Sequence, residues 1–263
     1  MLLSGLLSVT FRRLHPDKII DLVQRASLSG IEWGGDIHIP HGDLKRAQET
    51  RRRTENAGLQ IFAYGSYYRS VASEEEGLSF NTILETAIAL GAPIIRIWAG
   101  RRGSAEVDRK YRTLIAENIR AIGNTTQAQN IQVVLEFHSN TLTDSADSAL
   151  CLIREVAHPN IKLSWQPPHA ESTGIRLEGL KKILPYLLNL HVFHWKSGNG
   201  KLDRRPLNEG VDDWTTYLKV VNSPFRQCAA MLEFVRGDSP DQFLQDADTL
   251  RQLIENVSTG SAQ

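Results

Sequence analysis

Net charge is absent from this 263-residue chain, in which 30 Lys and Arg stand against 30 Asp and Glu. A protein built to grip a phosphate backbone carries a basic excess, so nucleic acid is not expected as its partner. No apolar stretch approaches the ~20 residues that cross a bilayer, and no membrane partner is expected either. Cysteine is scarce. Cys151 and Cys228 lie in apolar segments without CxxC spacing, the pattern of two buried thiols in a reducing cytoplasm rather than of a disulfide framework. A glycine-rich phosphate loop is missing too, because the N-terminal apolar stretch runs into Phe11-Arg12-Arg13 with no GxGxxG. Met1–Leu7 has no basic residue and no small-residue cleavage site, and reads as a first strand rather than a signal peptide. A cytoplasmic location is the expectation.

What is present is core material in a regular rhythm. Hydrophobic residues make up 41% of the chain, too many for a disordered segment. Short apolar runs alternate with helical stretches throughout. The strand candidates are 6–10, 30–33, 59–64, 93–98, 131–137, 161–165, 190–194 and 229–234. Helical periodicity covers 16–28, 43–57, 80–90, 111–128, 145–156, 177–187, 214–221 and 241–257. Pro16 suits a first helical turn, and Gly30, Gly58 and Gly91 each follow a helix where a left-handed cap would fall. Eight units averaging roughly 33 residues match the (β/α)8 TIM barrel. The fold expected is therefore α/β, one (β/α)8 barrel domain over residues 1–263, with no linker dividing it.

Barrel enzymes place their chemistry at the C-terminal strand ends. Here those exits read Glu32-Trp33, Tyr64 to Arg69, Arg96-Ile97-Trp98, Glu136-Phe137-His138, Trp165-Gln166-Pro167-Pro168-His169, His191 to Lys196 and Glu233-Phe234. Most of the 8 histidines, and all of the 5 tryptophans except Trp214, fall at these exits or in the loops that follow them. Glu136 and Glu233 end nearly apolar strands, where a carboxylate must be paired, metal-bound or neutralised. One reading pairs Glu136 with a basic neighbour such as Arg96. The other lets Glu136, Gln166, His194 and Glu233 converge on one divalent cation, since carboxylate, amide oxygen and imidazole are acceptable ligands for Mn²⁺, Mg²⁺ or Zn²⁺. By strand alternation, His191 faces the other way from His194 and reads as core packing.

The segments Val134-Leu135-Glu136-Phe137-His138, Trp165-Gln166-Pro167-Pro168-His169, His191-Val192-Phe193-His194 and Leu232-Glu233-Phe234 resemble the sugar phosphate isomerase/epimerase group of xylose-isomerase-like TIM barrels. The likeness runs from Gly30-Ile31-Glu32-Trp33 to Glu233-Phe234. It implies one divalent metal held by Glu, Asp, His and Glu from the fifth to eighth strands, positions occupied here by Glu136, Gln166, His194 and Glu233. Gln166 departs from that pattern, bringing an amide in place of a charge. The resemblance further implies that Glu136 and Glu233 exchange protons on opposite faces of the substrate carbon. It also implies that His169 steadies the substrate's oxygens, that Arg204 or Arg205 contacts its hydroxyls, and that such barrels pair into homo-oligomers.

The function expected is a metal-dependent isomerase or epimerase acting on a small-molecule sugar or related keto compound, by proton abstraction next to a carbonyl through an enediolate. Trp33, Tyr64, Tyr67, Trp98 and Trp165 would supply the apolar platform, and His38 would contact substrate from the second loop. Two other readings use the same residues. One is a metal-poor sugar-binding or regulatory barrel. The other is an endonuclease IV-like phosphodiesterase, which neutral charge and Gln166 disfavour.

Overall fold

The computed structural model describes residues 1–169, 171–198 and 201–259. Eight parallel strands close into a barrel: β1 (Leu2–Leu7), β2 (Gly30–Gly34), β3 (Gln60–Arg69), β4 (Ile94–Trp98), β5 (Gln132–Glu136), β6 (Ile161–Trp165), β7 (Leu187–Val192) and, after two strands outside the barrel, β10 (Cys228–Leu232). The helices are α1 (Pro16–Arg25), α2 (Leu44–Asn56), α3 (Ala72–Glu75), α4 (Phe80–Leu90), α5 (Arg109–Gln127), α6 (Ala146–Val156), α7 (Thr173–Ile183), α8 (Val211–Val221) and α9 (Pro240–Thr259). The ring closes where β10 lies between β1 and β7, with Leu6 opposite Leu232 and Met231 opposite His191. The chain thus forms the expected (β/α)8 barrel.

Alternation along the strands divides the apolar residues into two layers. A large cluster fills the shell between barrel and helices, and a small one (Leu7, Val9, Phe62, Ala229 and Met231) plugs the barrel itself. Phe62 explains two glycines. A Cβ on Gly5 would lie 2.6 Å from its ring and one on Gly30 2.8 Å, so β1 and β2 stay bare where the ring sits. Gly30 is therefore a strand residue kept small by packing and not a helix cap. Ser27 takes the left-handed backbone after α1, whereas Gly58 and Gly91 do adopt φ of +74° and +72°.

Three further departures from the sequence reading bear on the site. Leu2–Leu7 and not 6–10 forms the first strand, and Ser8–Phe11 is a 3-10 turn above it. The seventh barrel strand ends at Val192. Beyond it His194–Gly198 (β8) and Lys201–Arg205 (β9) form an antiparallel hairpin, with Trp195 opposite Arg204. Finally, Cys228 is buried, its thiol pushed up to about 12 by desolvation, but Cys151 is exposed on α6, off the buried stripe of Ala149, Leu152, Ile153 and Val156.

Candidate active site

The polar residues that strand alternation turns inward meet at the C-terminal end of the barrel. Arg96 (β4) is fully buried between two carboxylates. Its Nε donates to Glu32 Oε1 at 2.6 Å and its Nη1 donates to Glu136 Oε2, which also accepts the Trp98 indole N–H. Tyr67 lies over the guanidinium, its ring centroid 4.7 Å from the Arg96 Cζ. Gly65 is required below: a Cβ there would come within 2.5 Å of Arg96 and 2.6 Å of Glu32.

The other oxygen of Glu136 faces His191. His191 Nδ1 lies 3.6 Å from Glu136 Oε1 and 3.6 Å from Glu233 Oε2, while Ser164 sits 3.2 Å from its Nε2. Nδ1 is buried and has no hydrogen-bond partner among the described residues. Glu136, His191 and Glu233 offer ligand atoms within 4.8 Å of one another. Glu32 and Glu136 thus share the Arg96 guanidinium while Glu233 faces His191, and the gap between Glu136, His191 and Glu233 has the charge and donor set that suit a divalent cation.

Burial alone would push the Glu136 carboxyl up. The adjacent Arg96, with His191 and the Trp98 N–H, outweighs it and pulls the carboxyl below its ordinary value. Burial likewise works against a charged His191, but Glu233, then Glu136 and Glu32, raise its pKa. Arg96 feels the same contest between burial and the two glutamates, and its charge is held more firmly than usual.

Above this group opens a cavity of about 470 Å³, with Glu136 and Glu233 among its lining residues. Tyr67 and Trp98 form one wall, 5.6 Å between ring centroids. Trp195 and Phe234 form another, 5.9 Å apart, with the His169 ring stacked on Trp195 at 4.7 Å. His138 packs on Trp98 at 4.6 Å and places Nδ1 2.6 Å from the Ser139 carbonyl. Tyr67 and Phe234 both hold left-handed backbone, φ 56° and 52°, an unfavourable conformation for bulky residues that concentrates at functional sites.

Of the residues singled out from sequence, Glu136, Glu233, Gln166, His169, Tyr67 and Trp98 reach this cavity. Gln166 does so in a different role. Its amide nitrogen faces Glu136 Oε1 at 3.3 Å and the Phe137 carbonyl, both acceptors, so it braces the carboxylate and does not extend an oxygen towards it. His194 is displaced. It starts the hairpin, where its ring packs against Gly210, and it lines a separate small cavity with Asp213 and Tyr217. Burial, then Lys196, lowers its pKa. His191, not His194, lies between Glu136 and Glu233.

Trp33, Tyr64 and Trp165 follow inward-facing neighbours on their strands and so point outward. Trp33 is buried against His38, Tyr64 bonds to Ile39 O at 2.9 Å and to His41, and Trp165 packs on Trp214 and Tyr217 of α8. His38 is buried with Nδ1 2.9 Å from Ser8 Oγ. Arg204 lies behind the aromatic wall, 4.6 Å from the Phe234 ring and 2.6 Å from Asp238. The signal that would have found His191 is the segment Leu188-Asn189-Leu190-His191-Val192, whose polar residues share one face, here the barrel interior.

A closed parallel barrel with buried carboxylates and an imidazole at its C-terminal rim defines the class of protein. The family of xylose isomerase-like TIM barrels matches residues 20–253, and the chain belongs to it. A 3-dehydroshikimate dehydratase of Bacillus anthracis is 36% identical over 227 residues, 76% of this chain and 80% of that protein. Among solved structures, the probable 3-DHS dehydratase AsbF involved in petrobactin synthesis, from Bacillus anthracis, superimposes with a TM-score of 0.77 at 23% identity, covering 95% of this chain and 99% of that one. A xylose isomerase-like barrel from Mycobacterium smegmatis in complex with magnesium gives 0.68 at 18% identity, covering 94% and 91%.

Proposed function

We propose that this barrel is a divalent-metal-dependent dehydratase acting on a hydroxylated cyclic keto acid of the 3-dehydroshikimate type. The Glu136–His191–Glu233 group, whose two glutamates line the cavity, carries the reading. The 36% identity to a 3-dehydroshikimate dehydratase supports elimination over the isomerisation or epimerisation expected from sequence. A cation held by Glu136, His191 and Glu233 would supply Lewis-acid stabilisation of charge developing on the substrate's carbonyl oxygen.

The chain's own groups account for the proton movements. His138 donates its Nδ1 proton to the Ser139 carbonyl, which leaves Nε2 as the unprotonated nitrogen, suited to removing a proton from the carbon next to the ketone. Breaking that C–H bond and the β C–O bond forms the new C=C bond, the departing hydroxyl leaves as water with the proton that His138 took up, and transfer of a further ring proton to the ketone oxygen gives the aromatic product. Glu136 is a poor proton shuttle, because Arg96 and Trp98 occupy one oxygen and hold the carboxylate ionised. A two-carboxylate epimerase needs both glutamates free to exchange protons, whereas an elimination does not. The aromatic walls form a slot suited to a ring that becomes flat as water is lost.

The test is to incubate the purified protein with Mn²⁺ or Mg²⁺ and 3-dehydroshikimate, and to follow dihydroxybenzoate by absorbance. Turnover dependent on the added metal is the expected result. Absence of product, together with solvent-deuterium exchange into ketoses, would return the assignment to an epimerase. Sugar binding with no retained metal and no turnover would make it a binding barrel.

A further inference from the structure

A keto acid brings a carboxylate to a cavity whose lining includes Glu136, Glu233 and Asp144. Some cation must receive it away from those groups. Arg96 is already engaged by Glu32 and Glu136 and covered by Tyr67. Arg69 and Arg204 lie against Trp98 and Phe234 without lining the cavity, and Lys196 is paired with Glu209 at 3.0 Å. Among the described residues, the cavity is lined by one Lys or Arg side chain, that of Arg12.

Arg12 is held in register with the carboxylates. It follows the 3-10 turn after β1, where Ser8 Oγ accepts the Gly34 N–H at 2.8 Å and Thr10 Oγ1 accepts the N–H of Phe234 at 3.1 Å. The second contact ties the Arg12 loop to the residue next to Glu233. The guanidinium uses Nη1 on Asp36, and its Nε and Nη2 have no protein partner among the described residues. That leaves donors for a second carboxylate, which a planar guanidinium is shaped to bind.

We infer that Arg12 is the carboxylate-recognition residue of this cavity, orienting the ring with its ketone towards Glu136–His191–Glu233 and its acid group towards the mouth. The inference rests on the keto-acid reading and deepens it. Loss of water from 3-dehydroshikimate gives 3,4-dihydroxybenzoate, so this acid and its uncharged amide, 3,4-dihydroxybenzamide, are suitable probes.

Calorimetric titration of both probes into wild type and Arg12→Ala, with Mn²⁺ present throughout, tests it. Wild type is expected to prefer the acid by about tenfold or more, the scale of hydrogen bonds to charged groups. Arg12→Ala is expected to lose that preference while binding the amide unchanged, and Arg12→Lys to regain part of it. A preference for the acid that survives in Arg12→Ala, or one missing from wild type, overturns the assignment. Wild type that binds neither probe brings down the keto-acid reading itself, and the inference with it.

Discussion

Arg96 donates to Glu136 through Nη1 on the same carboxylate oxygen that receives the Trp98 indole, leaving the opposite oxygen to face His191. One oxygen of the carboxylate is thereby held by Arg96 and Trp98, while the other meets Gln166 and His191. That arrangement depends on Glu32, which holds the other edge of the guanidinium at 2.6 Å, and on Gly65, which leaves room for both.

Replacing Arg96 with Met should therefore be costly. The substitution keeps volume but leaves Glu32 and Glu136 buried without a cation, a defect worth about 3–5 kcal/mol. Urea unfolding measures it. A loss of only about 1 kcal/mol, as for solvated ion pairs, would contradict the buried arrangement.

The two histidines around Val192 should separate cleanly in metal binding. His191→Ala removes the imidazole between Glu136 and Glu233, and Mn²⁺ affinity by calorimetry should drop by more than the roughly 10–100-fold typical of losing an outer partner. His194→Ala should bind Mn²⁺ as wild type does, since His194 faces Gly210 and Asp213. The reverse pattern would restore the ligand set expected from sequence.

That pair also marks how far the sequence could be read. Strand rhythm and polar exits located the barrel and its rim, because burial on both faces forces apolar runs and leaves polar groups at the ends. Side-chain direction needs the strand's true limits. Reading the seventh strand through His194 hid the break after Val192, where β7 leaves the barrel for a hairpin. The hairpin itself, His194–Gly198 and Lys201–Arg205, is charged on both strands and carries no core signal. Trp33, Tyr64 and Trp165 stood at the right height but on the outer face, where α8 packs on Trp165 and the loop after β2 meets Trp33 and Tyr64. Arg12 was invisible because what places it is a hydrogen bond between Thr10 and Phe234, 224 residues apart.

Stability should fall with acid through His38. Burial, the largest influence, lowers its pKa below the ordinary 6.5. The unfolded chain then takes up the proton first, so the contribution present above pH 6.5 is lost as pH falls towards the native value. His38→Gln should flatten the curve of unfolding free energy between pH 5 and 7, by up to about 1.4 kcal/mol per pH unit. An unchanged slope would mean that His38 is accessible to protons in the folded chain.

His138 supplies the most direct test of the chemistry. Its ring is held on Trp98 and its Nδ1 is spent on the Ser139 carbonyl, so Nε2 is the nitrogen that can take a proton in the cavity. His138→Asn removes that base but leaves Glu136, His191 and Glu233 in place. Metal affinity should stay at the wild-type level, while kcat on 3-dehydroshikimate should fall by about 10²–10⁴-fold, the usual worth of a general base. KM should change little, because the loss belongs to the proton-transfer step. A variant that kept full kcat would pass the role of base to Glu233 or His169, and Glu233→Gln and His169→Asn would then show which of them carries it.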